Sequence, residues 1–186
     1  MNCLYYSLNK FTENYRDYKH NLIKNKNDFL KIFNKSYNLV KKYNPNLDIK
    51  IFSTQPVEGF DVDLFEFTDN TSHSLDHRHF HYEKLKEYDT VMYMNYNVFV
   101  KTNLDEYFGR YNDGLYMRYH EWRFYDGIIF TSKEAREKII KTGVIDDKKD
   151  IKEIAIPDVG LGAEDCFYDI QLVKDYFYPQ IYPRYY

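Results

Sequence analysis

Two carboxamides separated by one residue, Asn95-Tyr96-Asn97, stand where an apolar run ends. Alternate residues of an extended chain point the same way, so Asn95 and Asn97 can face one ligand together. An amide oxygen can ligate Mg²⁺ or Mn²⁺ but brings no charge, and hard cations draw much of their affinity from carboxylates. The alternative is that the two asparagines merely close a turn. Two carboxylates, Glu164-Asp165, follow the glycine-containing stretch Gly160-Leu161-Gly162 and open a segment with helical spacing. A carboxylate can serve as a general base where it lies within hydrogen-bond reach of the proton it takes. An acidic first turn is also what helices favour for their own sake. His73, His77, His79 and His81 crowd one stretch, with His77 and His81 four apart, like paired metal ligands. No Glu sits beside His77 and no third ligand is evident, so surface histidines are the expected reading. Arg78 lies among them; its planar fork can bond two phosphate oxygens at once, or it is a solvated charge. Trp122, the single tryptophan, can stack on an apolar sugar face or be core.

The elements that must position these residues follow from pattern. Residues 90–94 form an unbroken run of β-formers, which predicts a strand buried on both faces. Residues 3–8 predict a first strand, 48–53 a second and 62–67 a third, shorter one. Asn27 is placed to cap a helix over 28–43, whose Phe29, Ile32, Phe33, Tyr37 and Val40 share a face. Leu75, His79, Tyr82 and Leu85 predict a helix over 72–87. Residues 98–100 form a second apolar run, and 103–106 the start of a short helix. Strands are expected over 114–119, 127–131 and 153–156. Thr131 with Glu134 makes a capping box for a helix ending at Gly143. A last helix is expected over 163–176. Strands alternating with helices imply an α/β fold, a mainly parallel central sheet covered by helices. In such sheets ligands bind outside the carboxyl ends of the strands, which puts the Asn-Tyr-Asn step at the expected site.

Composition narrows the function classes. The 186 residues suffice for one domain with a real core. With 44% hydrophobic and 30% charged residues, the balance is that of an ordinary globular protein. A net charge of −3 without a basic block argues against nucleic acid as the main partner. Only Cys3 and Cys166 occur, so no disulfide framework is implied and a reducing, cytoplasmic compartment is expected. No stretch approaches the ~20 apolar residues of a membrane span. No basic n-region precedes an apolar h-region, so no secretory leader is expected. The 21 tyrosines and 14 phenylalanines fit an AT-rich coding sequence, or an aromatic sugar-binding surface.

Residues 88–100, Tyr-Asp-Thr-Val-Met-Tyr-Met-Asn-Tyr-Asn-Val-Phe-Val, resemble a strand of the GT-A type nucleotide-sugar glycosyltransferases. In the glycogenin-like and lipopolysaccharide-glycosyltransferase members this strand carries an Asp-x-Asp that holds a divalent metal on the donor's diphosphate. Here both aspartates are asparagines. The resemblance spans most of the chain, from Cys3 to about Val173, and implies a single minimal domain over 1–186 with the GT-A, Rossmann-like fold. It implies that Tyr5, Tyr6 and Ser7, ending the first strand, hold the base and ribose; the alternative is buried strand residues. Arg78, seventeen positions before Asn95, would face the diphosphate. Asp126 and Gly127 resemble the segment that contacts the transferred sugar, with Trp122 beside it. Glu164-Asp165 resemble the pair of inverting members, with Asp165 as base.

The implied activity is transfer of a hexose-like sugar from a nucleotide diphosphate sugar to the hydroxyl of a carbohydrate, glycoprotein or glycolipid. Asn95 and Asn97 leave the metal open. Mn²⁺ or Mg²⁺ would bind weakly and with the donor, or Arg and Lys would serve instead. A non-catalytic nucleotide-sugar or carbohydrate-binding module is the alternative. A nucleotidyltransferase would carry a glycine-rich phosphate loop near the first strand, and residues 7–18 hold no glycine.

Overall fold

A computed structural model describes residues 1–8, 26–66, 81–96, 98–100, 102–120, 123–142, 151–154 and 167–169. They fall in two compact units. The first comprises Met1–Lys10, Asn46–Asn95 and Leu104–Ile154; the second comprises Phe11–Pro45, Tyr96–Asn103 and Ala155–Tyr186.

The first unit is built on a seven-stranded sheet. Its strands are β1 (Asn2–Leu8), β2 (Asp48–Ser53), β3 (Asp63–Leu64), β4 (Thr90–Met94), β6 (Leu115–His120), β7 (Arg123–Ser132) and β8 (Ile151–Glu153), in the order β3-β2-β1-β4-β7-β6-β8. The first four run parallel. β7 runs antiparallel to β4 and β6, and β8 runs parallel to β6. This is the expected α/β, mainly parallel sheet with β4 inside it. All five residues of β4 are buried, as are residues 3–8 of β1. A sheet packed on both faces needs such continuous apolar strands.

One face carries a large apolar cluster. Cys3 and Tyr5, Val91 and Tyr93, and Leu115 and Met117 alternate onto it, and Tyr82, Leu85, Tyr88, Phe52, Phe65 and Ile139 complete it. A 3-10 turn (Tyr82–Leu85) contributes there. Its three-residue period stacks Tyr82 over Leu85, and both are buried. On the other face the short helix α2 (Asp105–Arg110) sets Phe108 edge-on against Phe130 of β7, 5.7 Å between centroids. The helix α3 (Lys133–Thr142) follows β7 directly.

The second unit holds the helix α1 (Lys26–Tyr43) and a two-stranded sheet of β5 (Val98–Val100) and β9 (Phe167–Asp169), paired antiparallel. α1 and the residue that follows it hold the β5 segment with polar groups. Ser36 Oγ donates to the Val98 carbonyl at 2.6 Å, and Asn44 Nδ2 to the Thr102 carbonyl at 3.1 Å. Phe29 meets Tyr96 at 4.7 Å between centroids.

Several expectations need correction. Asn27 lies inside α1, which starts at Lys26. The third strand is two residues long. Residues 82–85 form a 3-10 turn rather than α-helix. The cap of α3 is Ser132, whose Oγ accepts the Ala135 N–H at 3.2 Å, because Thr131 stays in β7 with its hydroxyl on Tyr82. The strand expected at 153–156 starts at Ile151. Residues 167–169, expected in the last helix, form β9: β5 offers aromatic Phe167 and Tyr168 a strand partner, and tertiary pairing overrides the helical period.

Candidate functional site

In β3-β2-β1-β4, the chain leaves β1 for β2 on one side and returns as β4 on the other. The crevice outside the carboxyl ends of β1 and β4 is therefore the switch point, where open α/β sheets bind ligands. Ser7 is the penultimate residue of β1, and Asn95 directly follows β4. Tyr5 pairs with Tyr93, and two residues further along each strand bring Ser7 and Asn95 to the same level. Asn95 is half-buried.

A third strand reaches this place. β7 passes β4 with Ile128 opposite Met94, so Gly127 and Asp126 run on past the end of β4 beside Asn95. There the register against β6 breaks. Met117 pairs with Ile129 and the next residue, Arg118, with Tyr125, so residues 126–128 bulge out of the ladder. A bulge re-aims the backbone, and bulges are over-represented next to active sites. A register slip depends on the partner strand and cannot be read from one strand alone.

Behind the strand ends lies a buried polar contact. Ser7 Oγ and His81 Nε2 are 2.9 Å apart. His81 is fully buried and Ser7 nearly so, 7% exposed. The imidazole lies flat on Phe52, 4.0 Å between centroids at 4°, with Phe65 edge-on at 4.6 Å. His81 is thus no surface histidine. Its burial against Phe52 and Phe65 depends on strands distant in sequence, so the local run of histidines did not show it.

Tyr5 and Tyr6 are both fully buried. Tyr5 belongs to the core, its ring 5.4 Å from Tyr93 and 6.0 Å from Phe52 between centroids. That is the buried-strand alternative, not a ring face offered to a base. Because side chains alternate along a strand, Tyr5 and Ser7 share one face of β1 and Tyr6 takes the other. Cys3, two residues further back, is buried too, and burial first, then Asp48, pushes its thiol up to about 12.

Of the other sequence-predicted residues, Arg78, Asn97, Trp122, Glu164 and Asp165 lie outside the described residues, as do His73, His77 and His79. Asp126 and Gly127 are placed by the backbone of β7 alone. Among the described residues no group of three His, Cys, Asp or Glu could hold a metal ion. No helix among them is long and apolar enough to cross a membrane.

No protein-family model matches the sequence, and no curated protein matches it. Solved structures do. The chain is similar to the apo form of the glycosyltransferase GlyE of Streptococcus pneumoniae TIGR4, with a TM-score of 0.58 and 11% identity over 90% of this chain and 53% of that one. A second GlyE crystal structure gives a TM-score of 0.52 and 11% identity over 82% of this chain and 44% of that one. The chain has the GT-A fold. It spans about half the length of GlyE. At this identity the likeness is one of fold, and function has to be argued from the site.

Proposed function

We propose that this chain is a nucleotide-sugar glycosyltransferase, moving a hexose-like sugar from a nucleotide diphosphate sugar to the hydroxyl of a carbohydrate, glycoprotein or glycolipid. The observation that carries the reading is the convergence, in a GT-A fold, of three elements at one switch point: the end of β1 at Ser7, the end of β4 at Asn95, and the β7 bulge at Asp126 and Gly127. Arg78 would add a bidentate cation for the diphosphate. Trp122 would cover the sugar. The few cysteines suit a cytoplasmic, reducing compartment.

In the proposed reaction the acceptor oxygen bonds to the anomeric carbon as the bond from that carbon to the diphosphate oxygen breaks. The nucleoside diphosphate leaves with the electron pair. Asp165 takes the hydroxyl proton, with Glu164 as its neighbour, and the anomeric configuration inverts. The metal is treated by donor chemistry. Asn95 and Asn97 supply neutral oxygens, which fit Mn²⁺ or Mg²⁺ arriving with the donor's phosphates rather than a resident ion. Such an ion would offset the charge that builds on the leaving diphosphate.

The neutral pair also favours a second reading, a degenerate module that binds nucleotide sugars without turning them over. One experiment separates the two. Incubate the protein with a panel of nucleotide sugars, with and without Mn²⁺, and follow release of nucleoside diphosphate in the presence of mixed glycan acceptors. Release supports transfer. Binding without release supports the module. Neither binding nor release ends both readings.

A further inference from the structure

We propose that His81 is a positioning residue of the donor site, fixing the hydroxyl of Ser7 at the end of β1; this rests on the transferase reading above. Ser7 is the last polar side chain of β1 before the switch point, on a strand otherwise filled with Leu4, Tyr5, Tyr6 and Leu8. A serine hydroxyl normally rotates to suit its surroundings. It carries one donor and two acceptor sites. The 2.9 Å contact with His81 Nε2 occupies one of these and fixes the position of the oxygen. What remains is a hydroxyl of fixed position, with capacity left for a second partner.

The imidazole is itself immobilised. Phe52 of β2 lies parallel to it, Phe65 meets it edge-on, and Tyr5 meets it edge-on at 6.3 Å. These rings come from β1, β2 and the stretch after β3. The histidine is therefore fixed in part by β1, whose end forms the crevice, and by β2 beside it. It also immediately precedes the 3-10 turn that enters the core. A purely apolar plug would fill this box without bringing a hydrogen-bonding nitrogen to Ser7. Burying that nitrogen is costly unless it is partnered, and Ser7 is its partner. A Ser–His pair can also mark a nucleophile, but here the imidazole is fully buried, which suits orientation rather than attack.

The test is binding of uridine, guanosine, adenosine and cytidine diphosphates, each with Mn²⁺, measured by calorimetry. His81→Phe keeps the ring stack and removes the nitrogen. Ser7→Ala removes the hydroxyl. Each should weaken the best-bound nucleotide about three- to tenfold, the size of one lost neutral hydrogen bond. The double variant should bind no more weakly than Ser7→Ala, because both changes break one link. His81→Gln, whose amide nitrogen can reach Ser7, should recover most of the loss. A merely structural histidine would lower the unfolding temperature and leave affinity and rescue unmoved.

Should His81→Phe not fold, the parent protein supplies the second measurement. Saturating nucleotide should shift the His81 Nε2 nitrogen resonance, and should not do so in Ser7→Ala. Unchanged affinity in folded variants, or an unmoved resonance in a parent that binds nucleotide, overturns the positioning role and leaves the transferase reading standing. A parent that binds none of the four overturns both.

Discussion

Arg136 should be one of the most sensitive positions for stability. It lies in α3 and is 1% exposed. Burial pushes its guanidinium below its usual value, although arginine keeps its charge in proteins. Nη1 donates to the Thr131 carbonyl at 2.5 Å. Nη2 donates to the carbonyls of Tyr88 and, at 3.4 Å, Leu85. Three carbonyls from the end of β7 and the approach to β4 thus share one cation. In Arg136→Met the stem still packs, but the carbonyls lose their donor. Leu85 keeps the Tyr88 N–H at 3.2 Å, and Thr131 faces Val91 across the β4–β7 ladder, so the Tyr88 carbonyl bears most of the loss. For one buried acceptor left unsatisfied the gross loss is about 1–3 kcal/mol. Two reliefs offset part of it. The buried charge is gone, and so is the buried Nε, which has no hydrogen-bond partner among the described residues. A net loss of about 1–2 kcal/mol follows. For a chain of this length that lowers the melting temperature by roughly 2–8 °C. Urea and thermal unfolding measure it. Arg136→Lys should fall between, since one ammonium cannot span all three carbonyls. A Met variant melting within about 1 °C of the parent would refute the reasoning.

Three further outcomes are expected. Asn97→Asp should raise the affinity for Mn²⁺ in the presence of uridine or guanosine diphosphate, because a carboxylate attracts a hard cation; unchanged calorimetric titrations would place residue 97 away from the metal. Asp165→Asn should lower transfer by about 10²–10⁴-fold with donor binding nearly unchanged, and Glu164→Gln is the matched control; a loss confined to Glu164→Gln would exchange the roles. Cys3 should make stability fall at alkaline pH. Its folded thiol is pushed up to about 12, well above the ~8.5 of an unfolded one. Its contribution is therefore complete below about pH 8.5 and is lost as pH rises toward 12, at up to ~1.4 kcal/mol per pH unit. Urea titrations of the parent and Cys3→Ala should converge as pH rises from 9 to 10.5, and parallel curves would contradict the burial of the thiol.

What the sequence revealed and what it hid divide along one physical line. Burial on both faces leaves a local trace, because a strand inside a covered sheet must be apolar throughout. Residues 90–94 showed this, and β4 is fully buried. Residues 3–8 showed it for β1, whereas β2 alternates polar and apolar residues and is buried only over its last three. Where an element depends on its partner, the local trace misleads. Residues 167–169 have a helical apolar period, yet β5 recruits them as a strand. Thr131 and Glu134 spell a capping box, yet Thr131 is held in the ladder and bonded to Tyr82, so the cap shifts to Ser132.

The same distinction governs the site. The position of Asn95 follows from the strand that precedes it, and strand ends are readable. The company it keeps is not. That Ser7 arrives at its level depends on the β1–β4 register, that Asp126 and Gly127 pass beside it depends on the β4–β7 register, and that β7 bulges there depends on β6. His81 is the sharpest case. As one of four histidines in a polar stretch it invited a metal or a surface reading. Its role is set by a serine 74 residues away and by Phe52 on a third element. Local pattern therefore locates a site in this fold, while the residues that tune it are found only where strands distant in sequence meet. For this chain that shifts the weight of the functional question. The neutral pair Asn95 and Asn97 is visible in one line of sequence, and under the proposed transferase reading the groups that would share the donor with it come from the neighbouring strand ends.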